Sequence, residues 1–220
     1  MPCAGVVLRM GKVSETQMTK RRINLFFFAA AYLAFLAWYD GWGQSPMTPG
    51  EVEGYLANFP EDAEGVEFLD RLRQMGADDD GEEFFMLNLN RYEYAEGEPN
   101  VGVPSAYQEY GAEVVPMILS NAGHPVYSGT FFADPPKGDS NEAHWNEVIL
   151  VRYRSRRDFI RMVTSDDYLE AARHRAGGIA YAEVSPTSAR MTLTSPRLIV
   201  FLLLLVPALL LDYVLKRSQP

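Results

Sequence analysis

Arg175 follows His174 late in the stretch SDDYLEAARHR, and the two make the best polar pair in the chain. A guanidinium presents a fixed fork of donors, so Arg175 can hold a carboxylate or an enolate. An ion pair with Asp166, Asp167 or Glu170 on the same helix surface is the plainer use of that charge. Glu147 alternates with Trp145 and Ile149 in WNEVILVRY. An acid on an otherwise apolar face is the setting that raises a carboxyl pKa toward general-base work, whereas pairing with Arg91 or Arg152 would use it up. Asn88 and Asn90 share one face of FFMLNLNRY with Met86 and Tyr92. A buried amide needs partners or a ligand. Asn88, Trp145 and Arg175 together could hold an enolate for attack by oxygen; alone, Asn88 satisfies a sheet edge. The catalytic candidates are therefore Asn88, Glu147 and Arg175, with Tyr127, Trp145, Tyr153 and His174 as ligand-binding walls.

Other chemistry is excluded by what the chain lacks. Cys3 is the one cysteine, so no internal disulfide and no cysteine-rich metal site exists. His124, His144 and His174 are spaced by 20 and 30 residues, which matches no local metal motif. Asp78, Asp80 and Gly81 resemble part of a calcium loop, but Gly76 and Leu87 stand where its first and last ligands belong. No glycine-rich phosphate loop or nucleophile elbow occurs. A net charge of -9 argues against a nucleic-acid partner, because neutralising phosphates needs clustered Lys and Arg. Arg152, Arg154, Arg156, Arg157 and Arg161 form the one basic cluster. It reads as a solvated helix start or as a patch for an anion or lipid headgroup. No metal and no cofactor is expected.

The elements that must carry these residues follow from periodicity. Gly41–Gly50 reads as a linker and Pro60–Met75 as a helix stopped by Gly76. Phe84–Tyr92 is the first strand. A helix starts at Ser105 with Gln108 as its capping-box partner and a stripe through Tyr107, Val114 and Ile118. Val126–Phe132 is a second strand, 134–144 a polar loop, and Trp145–Tyr153 a third strand. Ser155 and Ser165 cap two helical stretches, Gly177 and Gly178 break the second, and Ile179–Val184 is a fourth strand. The order is βαββαβ, a ferredoxin-like α+β fold with an antiparallel sheet.

Apolar runs bracket this region. Ile23–Tyr39 carries no charge over 17 residues, follows Lys20, Arg21 and Arg22, and ends at Asp40. Leu198–Leu211 contains four successive leucines and is followed by Lys216 and Arg217. Both are read as transmembrane helices, each near the roughly 20 residues a span needs; a cleaved leader is the alternative for the first. Residues 41–196 carry 26 acidic and 12 basic side chains, while Lys and Arg crowd the outer flanks of the spans. By the positive-inside rule both termini are cytoplasmic and the central domain is extracytoplasmic, periplasmic in a Gram-negative cell. The expected organisation is a tail at 1–22, a span at 23–40, a linker and helical extension at 41–81, the ferredoxin-like domain at 82–186, a linker at 187–197, a span at 198–215 and a tail at 216–220.

The run from FFMLNLNRY through YQEYGAEVVPMILSNAGHPVYSG to WNEVILVRYRSRRDFIRMVTSDDYLEAARHR resembles the domain of unknown function 1330 family. The likeness rests on Tyr107 and Tyr110 in a Tyr-x-x-Tyr element, Gly123 before a strand, Tyr153 and Ser155 at an aromatic-x-Ser turn, an acidic-x-x-Tyr element near Tyr168, and Arg175. It covers about residues 82–186. It implies the dimeric α+β barrel superfamily, in which two sheets pack face to face. It implies no reaction, and the spans and the extension at 49–76 depart from the family. Superfamily relatives place ligands between sheet and helices, an analogy of fold. Two functions stay open: a membrane-tethered module that binds a partner or a small apolar or anionic ligand, with the lipid bilayer and a second copy as partners, or a cofactor-independent oxygenase or isomerase. An enzyme requires Asn88, Glu147, Trp145 and Arg175 to converge.

Overall fold

A computed structural model of the chain describes residues 15–57, 59, 63–132, 145–191 and 195–217. The expected polar loop at 134–144, with His144, and Cys3 lie outside them. The chain divides into two compact units, one of residues 38–194 and one made of the segments up to 37 and from 195 onward.

The larger unit carries the sheet. Its strands are β1 (Phe84–Tyr92), β2 (His124–Thr130), β3 (Glu147–Tyr153) and β4 (Ile179–Thr187), in the order β2-β3-β1-β4. Every neighbouring pair is antiparallel. With α4 (Ser105–Ser120) between β1 and β2, and α5 (Arg156–Val163) and α6 (Asp166–Gly178) between β3 and β4, this is the ferredoxin-like α+β arrangement. Strands alternate their side chains between faces. Phe84, Met86, Asn88 and Asn90 therefore face the helices with Val151 and Tyr153, and Phe84 and Met86 join Val114, Ile118, Phe159, Ile160 and Val163 in the core. Leu87, Leu89, Val148 and Leu150 lie on the opposite face and are half-buried.

Local chemistry sets the helix ends. The Ser155 hydroxyl accepts from the Asp158 amide at 3.1 Å and donates to Asp158 Oδ2 at 3.0 Å, and Ser165 Oγ accepts from the Tyr168 amide at 3.3 Å. The capping box expected from Ser105 and Gln108 does not form. Pro104 occupies the N-cap without a side-chain bond, and Glu98 from the preceding loop accepts the Ser105 amide at 2.7 Å. Gln108 is then free to donate to the Val103 carbonyl at 2.7 Å. Gly178 ends α6 against α4, where a Cβ would come within 2.7 Å of the Tyr107 nitrogen. Glycine is what permits this close helix approach.

The stretch expected to be a linker is built into the unit. Met47 is buried in the core and its amide donates to Asp79 Oδ2 at 2.8 Å. Thr48 and Glu51 form a full capping box for α2 (Pro49–Leu56), which packs Val52 and Leu56 on Leu69 and Leu72 of α3 (Ala63–Ala77).

The smaller unit is a helix pair, α1 (Glu15–Tyr39) and α7 (Pro196–Arg217). Within them Thr19–Tyr39 and Pro196–Arg217 are long and apolar enough to cross a membrane. The helices run antiparallel, because contacts climb one while descending the other. Arg21 is ion-paired with Asp212, Asn24 Nδ2 donates to the Ala208 carbonyl at 3.1 Å, and the Tyr32 ring lies 5.3 Å from that of Phe201. Ala208 is buried, and its small side chain lets the backbones approach.

Candidate functional site

The helix-facing side of the sheet holds an open cavity of about 1270 Å³ between β1, β4, α3, α5 and α6. Asn88, Tyr153 and Arg175 line it together with Phe68, Leu72, Phe84, Met86, Tyr110, Phe159 and Tyr168. Of the seven side chains chosen from sequence, these three are brought to one space.

Charged side chains interrupt the aromatic lining throughout: Arg71, Asp78 and Arg156 on the α3 and α5 side, Arg173 and Arg175 on α6. Phe84 opposes Tyr153 in the register of β1 and β3, their rings stacked at 5.4 Å, with the Phe159 ring edge-on to both. Tyr92 at the far end of β1 pairs with Ile179, just after α6 delivers Arg175. Arg175 makes no side-chain hydrogen bond or ion pair among the described residues, so the expected pairing with Asp166, Asp167 or Glu170 is not formed. Its positive charge reaches the phenols of Tyr107 and Tyr110 and favours their ionisation. Burial, followed by the negative charge of Glu147, outweighs it and pushes the Tyr107 phenol up to about 12. Burial raises Tyr110 and Tyr153 as well. These phenols stay protonated at neutral pH; the Tyr107 hydroxyl accepts from Asn90 Nδ2 at 2.9 Å, and the Tyr110 and Tyr168 hydroxyls are bonded at 3.3 Å.

Glu147 lies outside the lining, in a separate buried knot. Asn90 is 0% exposed, and its Nδ2 donates to Glu147 Oε2 at 3.1 Å and to the Tyr107 hydroxyl at 2.9 Å. Glu147 also accepts from Ser128 Oγ at 3.5 Å and from the Tyr92 hydroxyl. Burial and that bond raise the Tyr92 phenol. The pairings of Glu147 with Arg91 or Arg152 considered from sequence are absent, because the two-residue period puts both arginines on the other face of the sheet. The sequence choice of Asn88 over Asn90 missed this knot. Asn90 sits directly opposite Glu147 in the register, a relationship invisible without strand pairing.

The remaining candidates are apart. Trp145 stacks at 5.6 Å on Tyr181, a residue of the cavity lining, without lining the cavity itself, and Arg91, on the face away from the helices, lies over the same Tyr181 ring. Tyr127 is exposed beside a register shift in β2 and pairs with Leu150 on that same face. His174 turns to the outside of α4, with Nδ1 3.0 Å from Glu109 and Nε2 3.8 Å from Glu113. Asn88 donates to the Met86 carbonyl of its own strand at 3.2 Å. The basic cluster is neutralised internally: Arg152 pairs with Glu83, Arg154 and Arg161 with Asp158, Arg156 with Asp80, and Arg157 with Glu51. No group of three His, Cys, Asp or Glu side chains placed to hold a metal occurs among the described residues.

No protein-family model matches the chain, and no curated protein matches it. Among solved structures it is similar to RPA0582, a protein of unknown function from Rhodopseudomonas palustris, with 26% identity and a TM-score of 0.48 over 57% of this chain and 94% of that one. It is also similar to SnoaB, a cofactor-independent oxygenase from Streptomyces nogalater, with 17% identity and a TM-score of 0.33 over 52% of this chain and 99% of that one. The ferredoxin-like fold stands on the strand order and pairing themselves.

Proposed function

We propose that this protein is a two-pass membrane protein whose α+β domain binds a small apolar or anionic ligand in the cavity between sheet and helices. The observation that carries this reading is the grouping of Asn88, Tyr153 and Arg175 around one cavity while Glu147 and Trp145 are engaged elsewhere. A catalytic set would need all four polar candidates at one point. The helices α1 and α7 hold the domain at the bilayer, with both termini cytoplasmic and the domain extracytoplasmic. The basic flanks Lys20, Arg21, Arg22, Lys216 and Arg217 support that orientation. The domain pairs with a second copy through the sheet face that carries Leu87, Leu89, Val148 and Leu150, in keeping with its resemblance to the domain of unknown function 1330 family.

A cofactor-independent oxygenase or isomerase is the second reading, favoured by Asn88 and Arg175 sharing the cavity. Its chosen base is not there, because Glu147 sits in the neighbouring knot; the carboxylate among the lining residues is Asp78, just past the end of α3. Native mass spectrometry of the full chain released from detergent micelles tests the main reading. A dimer carrying a small molecule supports it. A monomer removes the pairing, and a ligand-free protein that also binds no apolar or anionic probe removes the binding function.

A further inference from the structure

The cavity is a basic space in an acidic region. Residues 41–196 carry 26 acidic and 12 basic side chains. The described lining of the cavity reverses that balance, with Arg71, Arg156, Arg173 and Arg175 against one carboxylate, Asp78. Two of these arginines are already met, Arg71 by Glu67 and Arg156 by Asp80. Arg173 and Arg175, both on α6, form no ion pair or side-chain hydrogen bond among the described residues. The carboxylates of α4 do not reach them, because Glu109 and Glu113 lie against His174, the residue between the two.

Helix geometry sets how the free pair is spaced. Adjacent helical residues point about 100° apart, so Arg173 and Arg175 are separated by about 200° one way round α6 and about 160° the other. The wider arc holds His174. The narrower arc holds Ala172 and Ala176, and both of these line the cavity. The cavity therefore meets a low apolar floor of methyl groups with a guanidinium on each side of it. Each guanidinium is a planar fork that matches a carboxylate through two parallel hydrogen bonds. A ligand with one anionic group satisfies one fork and leaves the other charge unmet. Two carboxylates on an apolar spacer satisfy both and cover the floor between them.

We propose that the cavity binds a linear dicarboxylate laid across the Ala172 and Ala176 floor of α6, with one carboxylate on Arg173 and the other on Arg175. This deepens the ligand-binding reading and rests on it: of the apolar and anionic ligands which that reading admits, it selects a doubly charged one.

The test is titration calorimetry on the full chain in nanodiscs, referenced to empty nanodiscs. The probes are the α,ω-dicarboxylates from succinate to sebacate and the monomethyl ester of each. At the spacer length that fits, the diacid is expected to bind at least tenfold tighter than its monoester. Arg173→Gln and Arg175→Gln should each bring that diacid down to the affinity of its monoester, and Arg175→Lys should keep part of the preference. Arg73→Gln should leave it unchanged, because that guanidinium is bonded to Glu53 and Asp70 and lies outside the lining. Diacid and monoester binding equally at every length overturns the two-carboxylate assignment and leaves ligand binding intact. A diacid preference that survives both glutamine substitutions overturns the placement on α6. If no diacid or monoester binds, the proposal fails; binding of octanoate or octanol by the same protein then retains the broader reading, and their exclusion removes it as well.

Discussion

The Arg152 guanidinium lies 3.8 Å above the ring of Tyr39, and its Nη2 donates to the Tyr39 carbonyl at 3.0 Å. Arg152 is 1% exposed, which an unpaired charge would not survive. Its charge is met by Glu83 at 2.8 Å, and Nη1 donates to the Ala122 carbonyl at 2.7 Å. The Tyr39 hydroxyl is bonded to His124 Nε2 at 2.7 Å. Arg154 Nη1 donates to the Trp38 carbonyl at 2.9 Å, so two guanidinium groups satisfy the carbonyls that end α1. Trp38 and Tyr39, the last residues of α1, are thus part of the larger unit.

Breaking this clamp should be costly. Arg152→Met leaves the Ala122 and Tyr39 carbonyls and Glu83 without their donor, an expected loss of about 3–5 kcal/mol. Tyr39→Phe removes the bond to His124 and keeps the ring beneath the guanidinium, and should cost about 1 kcal/mol. Chemical denaturation of the detergent-solubilised full chain measures both, and equal effects would contradict the assignment.

Asn90 ties Glu147 to Tyr107, and the tie should be visible in stability. Asn90→Ala leaves Glu147 short of a buried donor, at a cost of about 1–3 kcal/mol. Asn90→Asp sets two carboxyls side by side, one of which must hold a proton to remain there. That raised pKa makes the variant most stable in acid and progressively less stable as pH rises. Melting temperature followed from pH 4 to pH 8 should fall for this variant more steeply than for the wild type.

Asp158 gives the opposite sign. Burial works against its ionised form. The bond and charge of Arg154, the Ser155 hydroxyl and Arg161 together still hold its carboxyl below the usual range. A lowered pKa contributes stability that is present above about pH 4 and lost as the pH falls through the folded value. Asp158→Asn should therefore unfold at lower denaturant concentration at pH 7, with the gap to wild type narrowing in acid.

Gly178 lies where a Cβ would strike the Tyr107 backbone. Gly178→Ala should push α6 off α4 at a cost of about 1–3 kcal/mol. It should also weaken anion binding at Arg175, three residues upstream on the same helix. A variant with wild-type stability and affinity would show that the close approach is unimportant.

The outer sheet face makes its own forecast. Leu89→Asp places a charge among half-buried aliphatic side chains without touching the core. If this face joins two copies, the dimer should weaken about thirtyfold or more, equivalent to about 2 kcal/mol. Analytical ultracentrifugation with fluorescence detection reads this directly. An unchanged dissociation constant would assign pairing to another surface.

The sequence by itself determined the local elements. Phe84–Tyr92 was legible to the residue because its alternation and flanking turn agree, and the βαββαβ order followed from the succession of such segments. The two apolar helices were legible from length and composition. Long-range relationships were not, because they depend on register and parity. Only strand pairing placed Asn90 opposite Glu147 and sent Arg152 to the other face, and only packing set Trp145, which precedes β3, against Tyr181. Only packing turned His174 outward to Glu109 while leaving Arg175, its chain neighbour, at the cavity. Adjacent helical residues point about 100° apart, so the pair that looked like one site in the sequence was divided by the helix itself.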